Sequence, residues 1–184
     1  MADKKLKISN PRKQIMGALK EDSDFKKFRK IVKRVEERLK IQEFLSEAKA
    51  LHAGRTSRKL HERKQFNPRA LIEASTKDLS IRSRLVEIRV NVSVNLSNLE
   101  EAIDAVKRYI STEFYDALSE YKTVDLKKSL IDRAIARPLD MMSDTKSLIE
   151  VLDILIRDID QSNFHMKTMI EALKLLDDSK GKTI

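Results

Sequence analysis

Cysteine and tryptophan are both missing from this 184-residue chain, and it has only three glycines, three prolines and 5% aromatic residues. Without cysteine there can be no disulfide framework and no thiolate metal site, and a reducing compartment is compatible. Six glycines and prolines leave too few tight turns for a sheet of short strands or a glycine-rich phosphate loop. The glycines themselves, Gly17, Gly54 and Gly181, stand alone. No apolar run approaches the ~18 residues of a membrane span, and the opening residues Met1–Lys7 lack the apolar stretch of a secretion signal. These absences predict a soluble, all-α, cytoplasmic protein, with a virion location open if the gene is phage-encoded, and no membrane partner.

Catalytic chemistry is missing as well. His52, His61 and His165 have neither metal-ligand nor triad spacing. The acids of the C-terminal arm, Asp144, Glu150, Asp153, Asp158 and Asp160, read as a solvated face, with Asp153 and Arg157 as an i, i+4 pair. No enzyme, metal or cofactor is expected.

What the chain does have is charge, 36% of its residues, and that charge is segregated. Residues 1–70 hold 21 Lys/Arg against 9 Asp/Glu, a surplus of +12; the remainder holds 17 against 20, or −3. Evenly solvated charge has no reason to separate in this way, so the basic third reads as a contact surface for a polyanion. Its densest part is Phe25–Val35, six basic and five apolar residues and nothing else. Wound as a helix, the segment places Phe25, Phe28, Ile31, Val32 and Val35 on one stripe. Lys26, Lys27, Arg29, Lys30, Lys33 and Arg34 form a broad cationic face. A second cluster, Arg55, Arg58, Lys59, Arg63, Lys64 and Arg69, lies in the segment between Gly54 and Ala70. Glu36, Glu37, Glu43 and Glu47 on the first helix argue against it lying flat on an anionic bilayer.

Apolar periodicity orders the rest. Residues 1–22 read as a flexible basic arm with at most a short helix near Lys13–Lys20, and 23–178 as a single helical domain. Ser23 is a candidate cap for a helix over 24–52, which Gly54 closes; residues 55–69 form a basic connection, followed by a short helix near Ala70–Ala74. Asp78 then caps a helix over 80–121, in which Ile81, Leu85, Ile88, Val92, Leu96, Leu99, Ile103, Val106 and Ile110 recur at three or four residues. Val86, Ile88, Val90, Val92, Val94 and Leu96 also alternate as in a strand, but the helical spacing continues on both sides and a lone strand has no mate. A turn at Lys122–Thr123 leads into a helix over 125–177, kinked near Pro138, and 179–184 form a tail. The fold class is therefore all-α, a long antiparallel hairpin with the basic N-terminal helix adding a third member at one end and a two-helix tip near Lys122. Centring the turn at Lys122–Thr123 makes facing residue numbers add to about 245, opposing Val92 to Asp153 or a neighbour and Leu85 to Asp160 or a neighbour. Met166, Met169, Ile170 and Leu173 then need cover from the first helix or from Leu71–Ile72.

Val90–Leu99 contains no charged residue. The segment predicts cover on more than one side, either within the bundle or at a subunit interface, where Asn91, Val94, Asn95 and Asn98 could set the register.

A basic N-terminal region followed by helical segments broadly resembles, in layout, phage and bacterial recombination or replication accessory proteins; no diagnostic residues carry the likeness and it identifies no family. The expectation is a homo-oligomeric, sequence-independent nucleic-acid-binding accessory protein, non-enzymatic, acting in DNA replication or recombination. The alternative is a structural or assembly protein, such as a virion component or scaffold, that docks an acidic protein partner.

Overall fold

The computed structural model describes residues 11–63, 67–119 and 121–180, and every regular element among them is an α-helix. In chain order these are α1 (Pro11–Glu21), α2 (Ser23–Leu39), α3 (Ile41–Ala53), α4 (Thr56–Arg63), α5 (Pro68–Glu113), α6 (Tyr115–Ser119), α7 (Val124–Ala134) and α8 (Ala136–Lys180). Two compact units are formed, one from residues up to Leu39 with Asn95–Asp144, the other from Lys40–Val94 with the residues from Thr145 onward. The long helices α5 and α8 each contribute to both.

In the first unit the arm does hold a helix, α1, at the place expected, while residues 1–10 lie outside the description. Asp22, not Ser23, caps α2: its Oδ1 accepts the backbone N–H groups of Asp24 at 2.9 Å and Phe25 at 2.7 Å. The other carboxylate oxygen accepts from the Tyr109 hydroxyl at 2.5 Å, so one side chain starts α2 and ties it to α5. Phe25, Phe28, Val32, Val35 and Leu39 are buried, as the stripe on this amphipathic segment requires, but Ile31, expected on the same stripe, is 42% exposed. The core they enter also includes Leu19, Leu99, Ile103, Val106, Ile110, Leu118, Leu130, Ile131 and Ile135. Each fully buried Leu or Ile contributes about 1.5–3 kcal/mol. The expected two-helix tip is thus corrected: α1 and α2 belong to the same compact unit as the residues around the turn.

Thr123 receives the Leu126 N–H and caps α7, which fixes the turn where the sequence places it. The expected break near Ile135–Arg137, ahead of Pro138, is present. α7 ends at Ile135 (φ −119, ψ 26) and α8 begins at Ala136, so the proline sits in the first turn, where a missing N–H costs no hydrogen bond. Lys107 Nζ lies 2.9 Å from Asp132 Oδ1, an antiparallel register whose residue numbers add to 239.

In the second unit α3 is a separate helix. The expected 24–52 helix is broken at Lys40, whose φ of 34 and ψ of 48 are left-handed. Asp78 does not start a helix, since α5 runs without a break from Pro68. Its side chain is fully buried and serves α4 instead, accepting from the Thr56 N–H at 3.2 Å, from the Ser57 hydroxyl, and from Arg55 Nε at 3.1 Å. Arg55 continues to Asp158 on α8, where His52 Nε2 also lies, 2.7 Å from the same oxygen. Burial opposes ionisation of Asp158, but His52 and Arg55 outweigh it and hold its carboxyl below the ordinary range.

α5 and α8 pair antiparallel here through Arg82–Asp160 (2.5 Å) and Arg89–Asp153 (2.6 Å), both with residue numbers adding to 242. Relative to the sequence-based register, each aspartate has moved about one turn, from Leu85 to Arg82 and from Val92 to Arg89. The turn residue alone could not fix this, because α6 and the break at Ile135 intervene. Leu71 and Ala74 of α5 cover Met166, with Leu60 of α4, Met169, Ile170 and Leu173 packed around them. Ile72 instead stands half exposed. No described helix is long and apolar enough to cross a membrane.

A candidate polyanion-binding groove

The Asp22 cap and the buried stripe fix the rotation of α2. All six cations of its opposite face, Lys26, Lys27, Arg29, Lys30, Lys33 and Arg34, are exposed. Three of them have local partners: Lys26 reaches the Glu21 carbonyl at 3.0 Å, Lys27 the Asp24 carboxylate at 2.7 Å, and Lys33 the Glu37 carboxylate at 3.9 Å. The Asp24 bond, with its charge, raises the Lys27 pKa above its ordinary 10.5 and keeps it cationic. Among the described residues Arg29, Lys30 and Arg34 form no ion pair.

Beside this face is a groove of about 650 Å³ within the first unit. One wall is α2, with Arg29, Lys30 and Lys33; Lys20 of α1 stands at its end. The opposite wall is the α7–α8 junction, with Arg133 and Arg137. The lining therefore carries six cations against one carboxylate, Glu36, which Arg137 engages at 2.5 Å. Leu19, Phe25, Phe28, Val32, Ala134 and Pro138 make the floor.

Such a groove can neutralise several phosphates along a chain. Its two phenyl rings, 5.8 Å apart, are only 8% and 6% exposed, so neither offers a face for a base to stack on. The arrangement suits backbone contact and not base reading.

Arg133 and Arg137 were missed in the sequence because they belong to the acidic remainder of the chain, where a regional charge count hides them. Their i, i+4 spacing, Arg133-Ala-Ile-Ala-Arg137, was the available signal.

The second basic cluster divides. Arg55 is 2% exposed and bound to Asp78 and Asp158, so its charge is spent inside the second unit and not presented to a ligand. Arg58, Lys59 and Arg69 are exposed, while Lys64 and the side chain of Arg63 lie outside the described residues. The four interface candidates also part company: Asn91 and Asn98 are exposed and Val94 is 57% exposed, but Asn95 faces inward at 5%. The chain covers Val90–Leu99 on one side only, since Val90 is 52% exposed, and burial within the bundle does not explain the missing charge.

Among the described residues no group of three His, Asp or Glu could hold a metal ion. No protein-family model, curated protein or solved structure matches the chain.

Proposed function

We propose that the chain is a non-enzymatic accessory protein that binds the sugar–phosphate backbone of nucleic acid without sequence preference, in replication or recombination. The observation that carries this reading is the convergence of six cations from separate helices on one groove with a single acid. The cations supply affinity through release of condensed counterions, and the buried floor holds their helices at a fixed separation. The unread bases make the binding indifferent to sequence.

Anisotropy titrations of labelled single-stranded DNA, duplex DNA and RNA at two salt concentrations test it. Binding at low salt that weakens steeply at high salt, and that is lost with Arg29→Glu and Lys30→Glu together, is the expected result. Absence of binding to all three at low salt overturns the proposal.

A second reading, a structural or assembly protein docking other protein surfaces, is favoured by one observation: Ile72, Leu79, Val90 and Val94 are about half exposed along α5.

A further inference from the structure

Those four residues belong to a longer seam. Ile72, Thr76, Leu79, Ser83, Val86, Val90 and Val94 follow one another along α5 at intervals of four, three, four, three, four and four. This is the spacing of a helix that packs lengthwise on another helix. No charge interrupts it in a chain that is 36% charged. The inward side of the same stretch of α5 is already occupied by Leu71, Ala74, Leu85, Ile88 and Val92, so the seam is a second packing surface. Its polar members suit burial: Thr76 Oγ1 donates to the Ile72 carbonyl and Ser83 Oγ to the Leu79 carbonyl, each at 3.0 Å, so neither hydroxyl needs a partner from outside.

We propose that this seam is a homodimer interface, in which α5 packs antiparallel on α5 of a second copy about a two-fold axis at Ser83. The spacing selects the partner. Seam residues fall 11, 7 and 4 positions before Ser83 and 3, 7 and 11 after it, so the two outer pairs mirror each other and the inner pair, Leu79 and Val86, is one residue off. Ile72 then meets Val94 of the second copy, Thr76 meets Val90, Leu79 lies against Val86 and Glu87, and the small Ser83 meets itself where the helices come closest. A self-complementary patch of this kind is what a two-fold contact requires.

The neighbouring helix fits the same axis. The Arg82–Asp160 and Arg89–Asp153 pairs place residue 159 of α8 beside Ser83 of α5. Rotation about that point brings the 68% exposed Phe164 opposite the 61% exposed Ile154 of the second copy. It also brings Lys167 to within one residue of Glu150 and Glu171 to within one residue of Lys146, opposite charges in both cases. Near the end of the seam, Ile72 and Thr76 share a groove with Phe164 and Lys167, so the α5 and α8 surfaces are continuous. The seam is roughly 33 Å long at 1.5 Å per residue, and two adjacent helices are about 20 Å wide. The contact therefore buries on the order of 1,300 Å² in total, within the range of specific dimers.

The absence of cysteine makes the test direct. Sedimentation equilibrium of the full chain is expected to show a dimer with a dissociation constant on the order of micromolar, weakened at least about 100-fold by Leu79→Lys with Val90→Glu. Both residues are half exposed, so the helical circular dichroism signal should be unchanged and would distinguish dissociation from unfolding. Under mild oxidation Ser83→Cys should form a disulfide dimer. Ile72→Cys alone should not, because its symmetry mate lies roughly 33 Å away. Mixing Ile72→Cys with Val94→Cys should restore the cross-link. A wild-type monomer at high micromolar concentration, a dimer indifferent to the double substitution, or Ile72→Cys cross-linking as readily as Ser83→Cys would each overturn the proposal. The seam shares no residue with the basic groove, so nucleic-acid binding can succeed or fail independently.

Discussion

Arg55 Nε donates to Asp78 Oδ2 at 3.1 Å with the two side chains 2% and 0% exposed, joining the entry of α4 to the first quarter of α5. Removing Asp78 leaves the buried Arg55 guanidinium with Asp158 as its one carboxylate partner, and removing Arg55 leaves the Asp78 charge buried without a cation. Asp78→Ala should therefore destabilise the protein by about 3–5 kcal/mol, measured by urea unfolding. It also removes the acceptor of the Thr56 N–H and the Ser57 hydroxyl. Ser57→Ala, which deletes only a neutral donor, should cost about 1 kcal/mol. Equal costs for the two would contradict this ranking.

The Tyr109–Asp22 bond predicts two pH limbs. The Tyr109 hydroxyl first, then the Phe25 N–H, lower the Asp22 carboxyl below its ordinary 3.8, against the opposing effect of burial. The same bond first, then burial, pushes the Tyr109 phenol up to about 12. A carboxyl whose folded pKa is depressed stabilises the fold above its unfolded value and loses that contribution as pH falls through the folded one. A phenol whose folded pKa is raised from 10.0 stabilises below pH 10.0 and loses the effect as pH rises toward 12. Alkaline titration of phenolate absorbance should show a late component near pH 12 that disappears in Tyr109→Phe, which should also flatten both limbs of the stability profile.

The helical class, the turn at Thr123 and the buried stripe of α2 were legible in the sequence because each rests on local chemistry: apolar spacing, a threonine cap and an amphipathic segment. The failures share a different origin. Nothing local marks Lys40 as left-handed; a lysine there continues a helix by propensity. Asp78 has the residue type of a cap, but its partners lie more than 20 residues away on α4. Arg55 resembles its exposed neighbours in composition and is distinguished only by the aspartates that fold around it. The groove was half legible for the same reason: the α2 wall is one contiguous motif, while Arg133 and Arg137 reach it through tertiary structure.

Salt dependence separates the roles of these arginines. If Arg133 contacts one phosphate, Arg133→Gln should make the plot of log affinity against log salt shallower by about 0.7–0.9, at little cost in stability. Arg55→Gln should leave that slope unchanged and lower stability, because its guanidinium serves Asp78 and Asp158. Anisotropy titrations over a salt series, paired with denaturation curves, measure both effects. A shallower slope in Arg55→Gln would return that residue to the binding surface.

Lys40 offers the converse experiment, a substitution that should stabilise. With φ at 34 and ψ at 48 its Cβ crowds the following carbonyl, a cost that glycine does not bear. Glycine also gains freedom in the unfolded chain, which offsets part of the relief. The change also removes the exposed Lys40–Glu43 contact at 2.8 Å, a surface pair worth little. Lys40→Gly should therefore raise stability by about 0.5–1 kcal/mol, whereas Lys40→Val should lower it, since a β-branched side chain tolerates the left-handed region poorly. Thermal unfolding of the three proteins in parallel gives the order Gly, Lys, Val if the backbone at residue 40 is left-handed in solution. Were α2 and α3 instead one continuous helix, glycine at this position would destabilise by about 1 kcal/mol, and the order of Gly and Lys would invert.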